Sequence, residues 1–404
     1  MNHSIIRAPA ATRVDQFEPL MPGEAKLRPL LEQAHLLQKR SWSLASKDMP
    51  GIRKSLTPLL RAMNSYYTNK IEGQHTLPAD IEGAMRNEFS GDPDRARRQR
   101  LALAHLQTEA WAEAEYGDLG WQQTYRPEVI ASLHGYLYGQ LPESDRVTDA
   151  GEPVLEGQFR DKGVRVGMHV APEFQQVPAF IERWCQGYGS LPSGEYALVG
   201  LACAHHRLAW VHPFRDGNGR IARLHSHLGL HGMGLTGGIW SIMRGLARRQ
   251  QAYYERLIDA DELRRGDFDG RGVLSEQGLI SFAEFFLDTC LDQVGFMEGM
   301  LDLRAFKERL DALLTFESSR ADSGLRREGL NPLHYMAMTG LMERGEFKTM
   351  TGLGEKTAER LLGSLLTFGL VRSDTPKGKL YFGVPIRGLR FLFPNLWPEA
   401  EAMG

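Results

Sequence analysis

Apolar residues recur at helical spacing over most of this chain. Between Glu24 and Ser46, leucine and alanine side chains fall three or four positions apart, and the same spacing returns after Gly51, Pro78 and Asp92. Residues three or four apart share one face of an α-helix, so these segments present apolar stripes that must pack on one another. The sequence therefore predicts a mainly helical fold with little sheet.

The same pattern continues to about residue 314. Helices are predicted at residues 126–141, at Val177–Gly187, at Glu195–Trp210 and from the Gly217–Gly219 loop to about Leu230, with two or three more between residues 246 and 314. The first 20 or so residues show no clear period, and we expect an extended arm there.

Two short runs between these helices alternate in the manner of strands. They are EGQFR at residues 156–160 and VRVGMHV at residues 164–170, and Asp161, Lys162 and Gly163 stand between them. Aspartate and glycine favour tight turns. The sequence therefore predicts a small β-hairpin that turns at these three residues.

The C-terminal part follows a different order of elements. After a polar linker at residues 317–329, the chain from Asn331 predicts a short helix, a second helix, a glycine-containing turn, a third helix and a hairpin. This order is typical of a winged helix-turn-helix. We therefore divide the chain into an N-terminal arm and helix at residues 1–49, a helical core at residues 50–315 and a winged helix domain at residues 331–404.

Composition excludes several classes of protein. The 48 Lys and Arg against 50 Asp and Glu give a net charge of −2, so the chain has no global basic field for nucleic acid. The three cysteines, Cys185, Cys203 and Cys290, form no CxxC pair, which argues against a disulfide scaffold and a cysteine zinc site. No run approaches the roughly 20 apolar residues of a membrane span, and the N-terminus lacks the apolar core of a secretory signal. We expect a cytoplasmic protein without a membrane partner.

The densest group of reactive side chains lies in AWVHPFRDGNGRIARLH, residues 209–225. His212 can exchange a proton near neutral pH, and Asp216 offers a hard oxygen ligand. Gly217 and Gly219 allow backbone N–H groups to turn towards an anion at the start of the next helix. Arg220 and Arg223, three apart, project from one face of that helix. This set predicts a site for a polyphosphate with a divalent metal such as Mg²⁺.

This segment resembles the signature of the Fic family, H-x-F-x-[D/E]-G-N-G-R-x-x-R. Every defined position of the signature is matched, by His212, Phe214, Asp216, Gly217, Asn218, Gly219, Arg220 and Arg223. The resemblance extends over the helical body from about residue 50 to residue 290. It implies a Fic core with a β-hairpin flap, here around residues 157–170, that aligns a target chain as an added strand.

The resemblance implies a protein adenylyltransferase, which transfers AMP from ATP to a Ser, Thr or Tyr hydroxyl of a target protein or of itself. It implies His212 as the general base and Asp216 as the Mg²⁺ ligand. ATP would be bound by Gly217, Asn218, Gly219, Arg220 and Arg223.

A second match lies upstream of the signature, in a helix near residues 56–73. Thr68-Asn69-Lys70-Ile71-Glu72-Gly73 is similar to the family's inhibitory motif, [S/T]-x-x-x-E-[G/N]. By this resemblance Thr68, Glu72 and Gly73 are inhibitory residues. Glu72 is expected to pair with Arg223 and so to take the counter-charge of the γ-phosphate.

Several alternatives stay open at this point. His227 and His231 are four apart, as in a helical metal pair, but no third ligand stands nearby in the sequence, which favours packing. Tyr253 and Tyr254 could lie near the adenine or in the core. Removal of AMP from a modified protein, or transfer of another group, would use the same residues, and a homodimer is a further expectation from the family.

A DNA-binding regulator that uses the Fic site as a nucleotide sensor is the alternative from another class. Residues 346–390 hold eight Lys and Arg against four Asp and Glu, so this part of the chain is basic. Lys356 and Arg360 fall on the predicted recognition helix, where contacts to DNA are made. Glu355 and Glu359 lie on the same helix and argue against DNA, so docking to a protein is equally open.

Overall fold

A computed structural model of the chain describes residues 11–46 and 49–402. The described part is mainly helical, with two pairs of short antiparallel strands. The α-helices are α1 (Glu24–Ser46), α2 (Pro50–Ile71), α3 (Pro78–Met85), α4 (Pro93–Tyr116), α5 (Pro127–Gly139), α6 (Val177–Gly189), α7 (Glu195–Val211), α8 (Asn218–Gly232), α9 (Met243–Arg248), α10 (Gln250–Asp261), α11 (Glu276–Met300), α12 (Leu303–Ser318), α13 (Leu330–Thr339), α14 (Arg344–Thr351), α15 (Glu355–Phe368), α16 (Leu389–Leu392) and α17 (Pro398–Glu401). The strands are β1 (Arg165–Val166), β2 (His169–Val170), β3 (Val371–Arg372) and β4 (Tyr381–Phe382).

Capping residues explain where the predicted helices begin. The Asp92 carboxylate accepts a hydrogen bond from the Arg95 N–H at 2.7 Å, and Pro93 fills the first helical position of α4. Ser275 caps α11 in the same way through the Gly278 N–H. Such caps satisfy N–H groups that have no partner within the helix.

Helices α7 and α8 form the centre of the core. Fourteen of the 17 residues of α7 are buried, as are 12 of the 15 residues of α8. Helix α7 packs against α1, α6, α8 and α11. A helix that is buried all round is held rigidly by its neighbours. The loop between α7 and α8 is therefore carried by two buried helices.

Three sequence predictions about helices and connecting segments need correction. The part of the expected arm that lies among the described residues is packed: Phe17 is fully buried against Phe180 and Trp210, and only residues 1–10 of the arm lie outside the described residues. Residues 243–318 form four helices rather than two or three. Glu317, assigned to the linker, is buried in the last turn of α12.

The β-hairpin turns at a different place from the one predicted. Strands β1 and β2 pair Arg165 with Val170 and Val166 with His169, so the turn is Gly167-Met168, and Gly167 takes a left-handed φ of 58°. Residues 156–160 are not a strand. Instead, the Arg160 N–H donates to the Pro213 carbonyl at 2.9 Å, which binds this segment to the loop after α7. A long-range contact thus replaces the local pairing that the alternation suggested.

Residues 330–402, here called the C-terminal segment, contain the elements in the order that the sequence predicts. Helix α13 is followed by α14, a left-handed turn at Gly352, α15, and the antiparallel pair β3–β4. Met342 forms a further bridge to Leu380. The segment packs on α2 through α13 and β4. Among the described helices, none combines the length and the apolar character that crossing a bilayer requires.

Candidate active site

The loop between α7 and α8 depends on two residues with left-handed backbone conformation. His212 ends α7 with φ 51°, and Gly217 precedes α8 with φ 79°. A Cβ atom at Gly217 would lie 2.8 Å from the Tyr138 ring, so glycine is required there for space as well as for φ. These two turns place His212 and the N-terminus of α8 on the same side of the core.

The imidazole of His212 is held in one orientation. Its Nδ1 lies 3.3 Å from the Ala209 carbonyl oxygen, which fixes Nδ1 as the N–H donor. Nε2 is then free to accept a proton, since it has no partner among the described residues. Burial lowers the pKa of His212 to about 4, so the ring is neutral at physiological pH. The arrangement suits a general base.

Asn218 shapes the loop with its side chain. Its Oδ1 accepts from the Phe214 N–H at 2.8 Å, and its Nδ2 donates to the Phe214 carbonyl at 2.9 Å. The Phe214 ring is fully buried and stacks on His134, with ring centroids 3.9 Å apart. The Asn218 side chain is thus used within the loop, and its backbone N–H at the start of α8 is the group that could meet a phosphate.

Asp216 lies in the same loop, directly before Gly217. Its Oδ1 accepts from the Gly217 N–H at 2.7 Å and lies 3.9 Å from Arg220 Nη1, and its side chain is 38% exposed. Burial alone would raise the pKa of Asp216, but Arg220 and the Gly217 N–H hold it below its usual value. A half-exposed, ionised carboxylate is a suitable ligand for Mg²⁺, which completes its shell with water and phosphate oxygens.

The two arginines of α8 are bound by the end of α2. Arg220 Nε donates to Asn69 Oδ1 at 3.1 Å, and Arg223 Nε donates to Thr68 Oγ1 at 2.7 Å. Arg223 Nη2 also pairs with Glu72. Both guanidinium groups are almost fully buried. Three residues of one helical turn of α2 therefore satisfy the two cations that the sequence assigns to phosphates.

The Glu72 carboxylate lies over the N-terminus of α8. A Cβ atom at Gly219 would be 2.2 Å from Glu72 Oε1, so only glycine at 219 leaves room for it. Burial alone would raise the pKa of Glu72, but Arg223 and Arg220 hold it below its usual value. Glu72 ends α2, and Gly73 turns the chain away with φ 73°. A negative carboxylate thus occupies the place where the helix N-terminus and Arg223 would receive an anion.

A cavity of about 850 Å³ opens beside these groups. Its lining includes His212, Glu72 and Arg223, together with Met168 of the hairpin and Tyr254. Tyr254 is 40% exposed, and its hydroxyl donates to the Ile71 carbonyl at 2.5 Å. The neighbouring Tyr253, in contrast, is buried, with its hydroxyl 2.7 Å from His205 Nε2.

Arg160 is a site residue that the sequence did not reveal. It is buried, and its guanidinium donates to the carbonyls of His212 at 2.8 Å, Lys162 at 2.9 Å and Pro172 at 2.5 Å. Burial lowers the pKa of Arg160 to about 10. These bonds fix the backbone of His212 against the segment before the hairpin. The sequence predicts only a short strand at EGQFR, and tertiary structure is needed to show the partners of its arginine.

His227 has partners that are distant in sequence. Its Nε2 lies 2.7 Å from Glu113 Oε1 and 3.6 Å from Glu109 Oε1, both on α4, and Arg61 of α2 pairs with Glu113. Asn64 Nδ2 donates to Glu109 at 2.9 Å. The carboxyl groups of Glu109 and Glu113 thus lie near the permanent cation of Arg61 and the imidazole of His227. The cluster joins α2, α4 and α8. It also gives His227 the acidic neighbours that the sequence did not show, since the ligand atoms of Glu109, Glu113 and His227 lie within 4.8 Å of one another, close enough to hold a metal ion.

The two carboxylates of this cluster predict opposite effects on stability. Burial raises the pKa of Glu109 to about 7, so in the folded state it binds a proton that the unfolded chain has lost above about pH 4.5. The stability from that proton is lost as the pH rises through 7. We expect Glu109→Gln to match the wild type near pH 5 and to exceed it by about 1–3 kcal/mol at pH 8 in urea unfolding.

Glu113→Gln is the matched control on the same helix face. Burial alone would raise the pKa of Glu113, but His227 and Arg61 lower it to about 2, so its ionised form stabilises the fold above the unfolded pKa. This variant should therefore lose stability at pH 8. A Glu109→Gln difference that stays constant between pH 5 and pH 8 would show that Glu109 does not titrate in this range.

Known proteins resemble the part of the chain that carries the site. Residues 124–230 match the family model described as Fic/DOC family. Over 101 residues, which are 24% of this chain and 20% of the relative, the chain is 36% identical to "Protein adenylyltransferase Fic" of Drosophila mojavensis. Over 82 residues, 20% of this chain and 16% of the relative, it is 38% identical to the protein of the same name from Drosophila ananassae.

The fold has a counterpart among solved structures. A crystal structure of a Fic family protein from Desulfovibrio desulfuricans G20 superposes with a TM-score of 0.53 at 17% identity, over 90% of this chain and 98% of that one. At this identity the likeness shows a shared fold. The sequence matches span a fifth or less of the Drosophila relatives, at 20% and 16% of their lengths, and concern the site rather than those whole proteins.

Proposed function

We propose that the chain is a protein adenylyltransferase of the Fic type, which moves AMP from ATP to a hydroxyl side chain of a protein; the match of residues 124–230 to the Fic/DOC family model supports this. The observation that carries this proposal is the arrangement around the start of α8. There a neutral His212 and the buried Arg223 line an 850 Å³ cavity, and the Asp216 carboxylate and the buried Arg220 belong to the same helix start. A general base beside an anion site is what transfer of a nucleotide to a hydroxyl requires.

In the proposed reaction, Nε2 of His212 accepts the proton of the target hydroxyl. The hydroxyl oxygen forms a bond to the α-phosphorus of ATP, and the bond from that phosphorus to the bridging oxygen breaks, which releases pyrophosphate. The Ala209 carbonyl holds Nδ1 as the donor, so the ring presents Nε2 as the base. Arg160 keeps the His212 backbone in place during the transfer.

Phosphate binding is assigned to the first turn of α8. The N–H groups from Gly217 to Arg220 lie at the positive end of the helix dipole, and Arg220 and Arg223 supply cations. Mg²⁺, which Asp216 would hold, neutralises charge on the phosphates when it is bound. The cations suit phosphate oxygens because guanidinium groups bind them through two parallel hydrogen bonds.

We propose that the described conformation is inhibited. Productive binding of ATP needs Arg223 for its terminal phosphate, whereas Glu72 holds Arg223 and lies over the N-terminus of α8. The phosphates of ATP and the Glu72 carboxylate are both negative and repel each other. ATP and Glu72 therefore compete for one site. The proposed activity is therefore low until Glu72 moves.

The test of transfer is incubation of the full chain with α-labelled ATP, Mg²⁺ and a cell lysate. We expect weak labelling of proteins by the wild type and strong labelling by Glu72→Gly. The double variant Glu72→Gly/His212→Ala is the control and should label nothing. Absence of protein label from Glu72→Gly, with ATP binding intact, would reject the proposal.

Binding of DNA by α15 is a second candidate function, which one observation supports. Lys348 of α14 lies within ion-pair distance of both Glu355, at 2.5 Å, and Glu359, at 3.3 Å, so its charge balances one of these two negative charges of α15. Lys356 and Arg360 are exposed and show no ion pair within the described residues. Two free cations on a helix that follows a turn are suited to phosphate contacts.

This candidate predicts salt-dependent binding to duplex DNA by the full chain. We expect Lys356→Ala/Arg360→Ala to lower the slope of log affinity against log salt by about 2, because each phosphate contact contributes about 0.9. Arg28→Ala/Lys39→Ala, which removes two exposed cations of α1, is the matched control and should leave the slope unchanged. A wild-type affinity that does not vary with salt would favour docking to a protein.

A further inference from the structure

The C-terminal segment rests directly on α2, the helix that carries Glu72. Gly51, at the start of α2, approaches α13 so closely that a Cβ atom there would lie 1.9 Å from the Met336 carbonyl oxygen. Ser55 donates to the carbonyl of Phe382 in β4, and Lys54 pairs with Asp374 at 3.2 Å. The segment thus follows the helix from its first turn.

The contact continues to the last turn of α2. Glu399, in α17, accepts from Lys70 Nζ at 2.8 Å and from the Tyr67 hydroxyl at 3.1 Å. Trp397, which is fully buried, packs against the Tyr66 ring with centroids 5.7 Å apart. Burial alone would raise the pKa of Glu399, but Lys70 holds it below its usual value, so the carboxylate is ionised at neutral pH.

The last turn of α2 therefore makes contacts on two of its faces. Tyr67 and Lys70 are bound by Glu399, whereas Thr68, Asn69 and Glu72 bind the arginines of α8. Successive residues of an α-helix are rotated by about 100°, so positions three apart share a face and their neighbours point elsewhere. A shift of this turn on one face must therefore move the other.

We propose that Glu399 is a positioning residue for Glu72: by binding Lys70 and Tyr67, it fixes the last turn of α2 and keeps the Glu72 carboxylate on Arg223. The C-terminal segment thereby sets the strength of inhibition, and a ligand that displaces α17 from Lys70 relieves it. This inference rests on the proposed function for its activity readout. The coupling between Glu399 and the anion site can also be measured without AMP transfer, through the affinity of the protein for ATP.

A second set of contacts limits the size of the effect. The Ile71 carbonyl accepts from Gln250 Nε2 at 3.2 Å and from the Tyr254 hydroxyl at 2.5 Å, both on α10. The end of α2 therefore keeps these contacts with α10 when Glu399 is removed. A half-exposed ion pair contributes up to about 1 kcal/mol, which corresponds to about a fivefold change in an equilibrium constant.

The experiment measures AMP transfer by Glu399→Gln in two backgrounds. With Glu72 present, we expect a rise of about threefold to fivefold over the wild type. In the Glu72→Gly background, where inhibition is already absent, Glu399→Gln should add nothing. Asp374→Asn is the control, because it breaks the contact with Lys54 at the far end of α2 and should leave transfer unchanged in both backgrounds.

A charge-reversed ion pair, Lys70→Glu with Glu399→Lys, distinguishes positioning of Glu72 from a general loss of structure. Lys70→Glu should raise transfer as Glu399→Gln does, and Lys70→Glu/Glu399→Lys should restore the wild-type rate because the ion pair is rebuilt. No rise with Glu399→Gln, an equal rise in both backgrounds, or no rescue by the reversed pair would overturn the inference.

Nucleotide affinity separates failure of this inference from failure of the proposed function. If Glu72→Gly transfers no AMP, the proposed function is wrong, and the coupling is then read from the Kd for ATP. Glu399→Gln should bind ATP about threefold to fivefold more tightly than the wild type, because Glu72 competes less well for Arg223. An unchanged Kd would overturn the coupling as well.

Discussion

Replacement of Glu72 by glycine is expected to raise AMP incorporation at least about tenfold. The carboxylate pairs with Arg223 and lies where a Cβ atom of Gly219 would be, so its removal frees both the cation and the helix N-terminus. Hydrogen bonds to charged groups contribute about 1.5–3 kcal/mol, and 1.4 kcal/mol is a factor of ten. The measurement is the initial rate of label incorporation from ATP at fixed protein concentration.

Glu72→Gln is the graded control for this result. The amide keeps the shape of the side chain and can still accept from Arg223, but it carries no charge, so we expect a smaller rise. Arg223 keeps its bonds to Thr68 in both variants, and the fold should therefore persist. Equal rates for wild type and Glu72→Gly would contradict inhibition by Glu72 and leave the assignment of His212 untouched.

His212→Ala is expected to lower transfer by about 10²–10⁴-fold, the range for loss of a general base. We expect the Kd for ATP to stay nearly constant, because in the proposed reaction His212 meets the attacking hydroxyl rather than the phosphates. Both quantities are best measured in the Glu72→Gly background, where the starting rate is high. A combined fall in rate and in ATP affinity would point to a binding role instead.

A second variant is needed because of the backbone conformation at position 212. His212 has φ 51°, a conformation that alanine adopts at a cost of about 1–2 kcal/mol, whereas asparagine tolerates it. His212→Asn therefore separates the chemistry from the loop geometry. Loss of transfer in both variants supports the base, and recovery in His212→Asn would show that the turn, and not the imidazole, is needed.

The sequence predicts the helical frame and the signature loop well, because both depend on local patterns. Helix α1 begins and ends at the predicted residues, Glu24 and Ser46. The glycine of the loop, Gly217, takes the left-handed conformation that the motif requires. Periodicity and turn chemistry act over a few residues, so one sequence is sufficient to read them.

Long-range contacts explain what the sequence did not predict. The sequence predicts the hairpin turn at residues 161–163, but Arg160 is bound to the carbonyls of His212 and Pro213, after α7, and this holds the segment away from a strand. Glu109 and Glu113 come to His227 from another helix. The contact between Glu399 and Lys70 joins residues 329 positions apart. No local pattern encodes such pairs.

The position of the label in ATP tests the central claim most directly. Glu72→Gly is incubated with Mg²⁺ and a lysate, in parallel with ATP labelled at the α-phosphate and ATP labelled at the γ-phosphate. Attack at the α-phosphorus leaves AMP on the protein, so we expect label on protein from the α-labelled ATP that is absent in Glu72→Gly/His212→Ala. From the γ-labelled ATP we expect equal label with both variants, because kinases of the lysate transfer that phosphate without His212. Label from the γ-phosphate that depends on His212 would contradict it, because the site would then transfer phosphate rather than AMP.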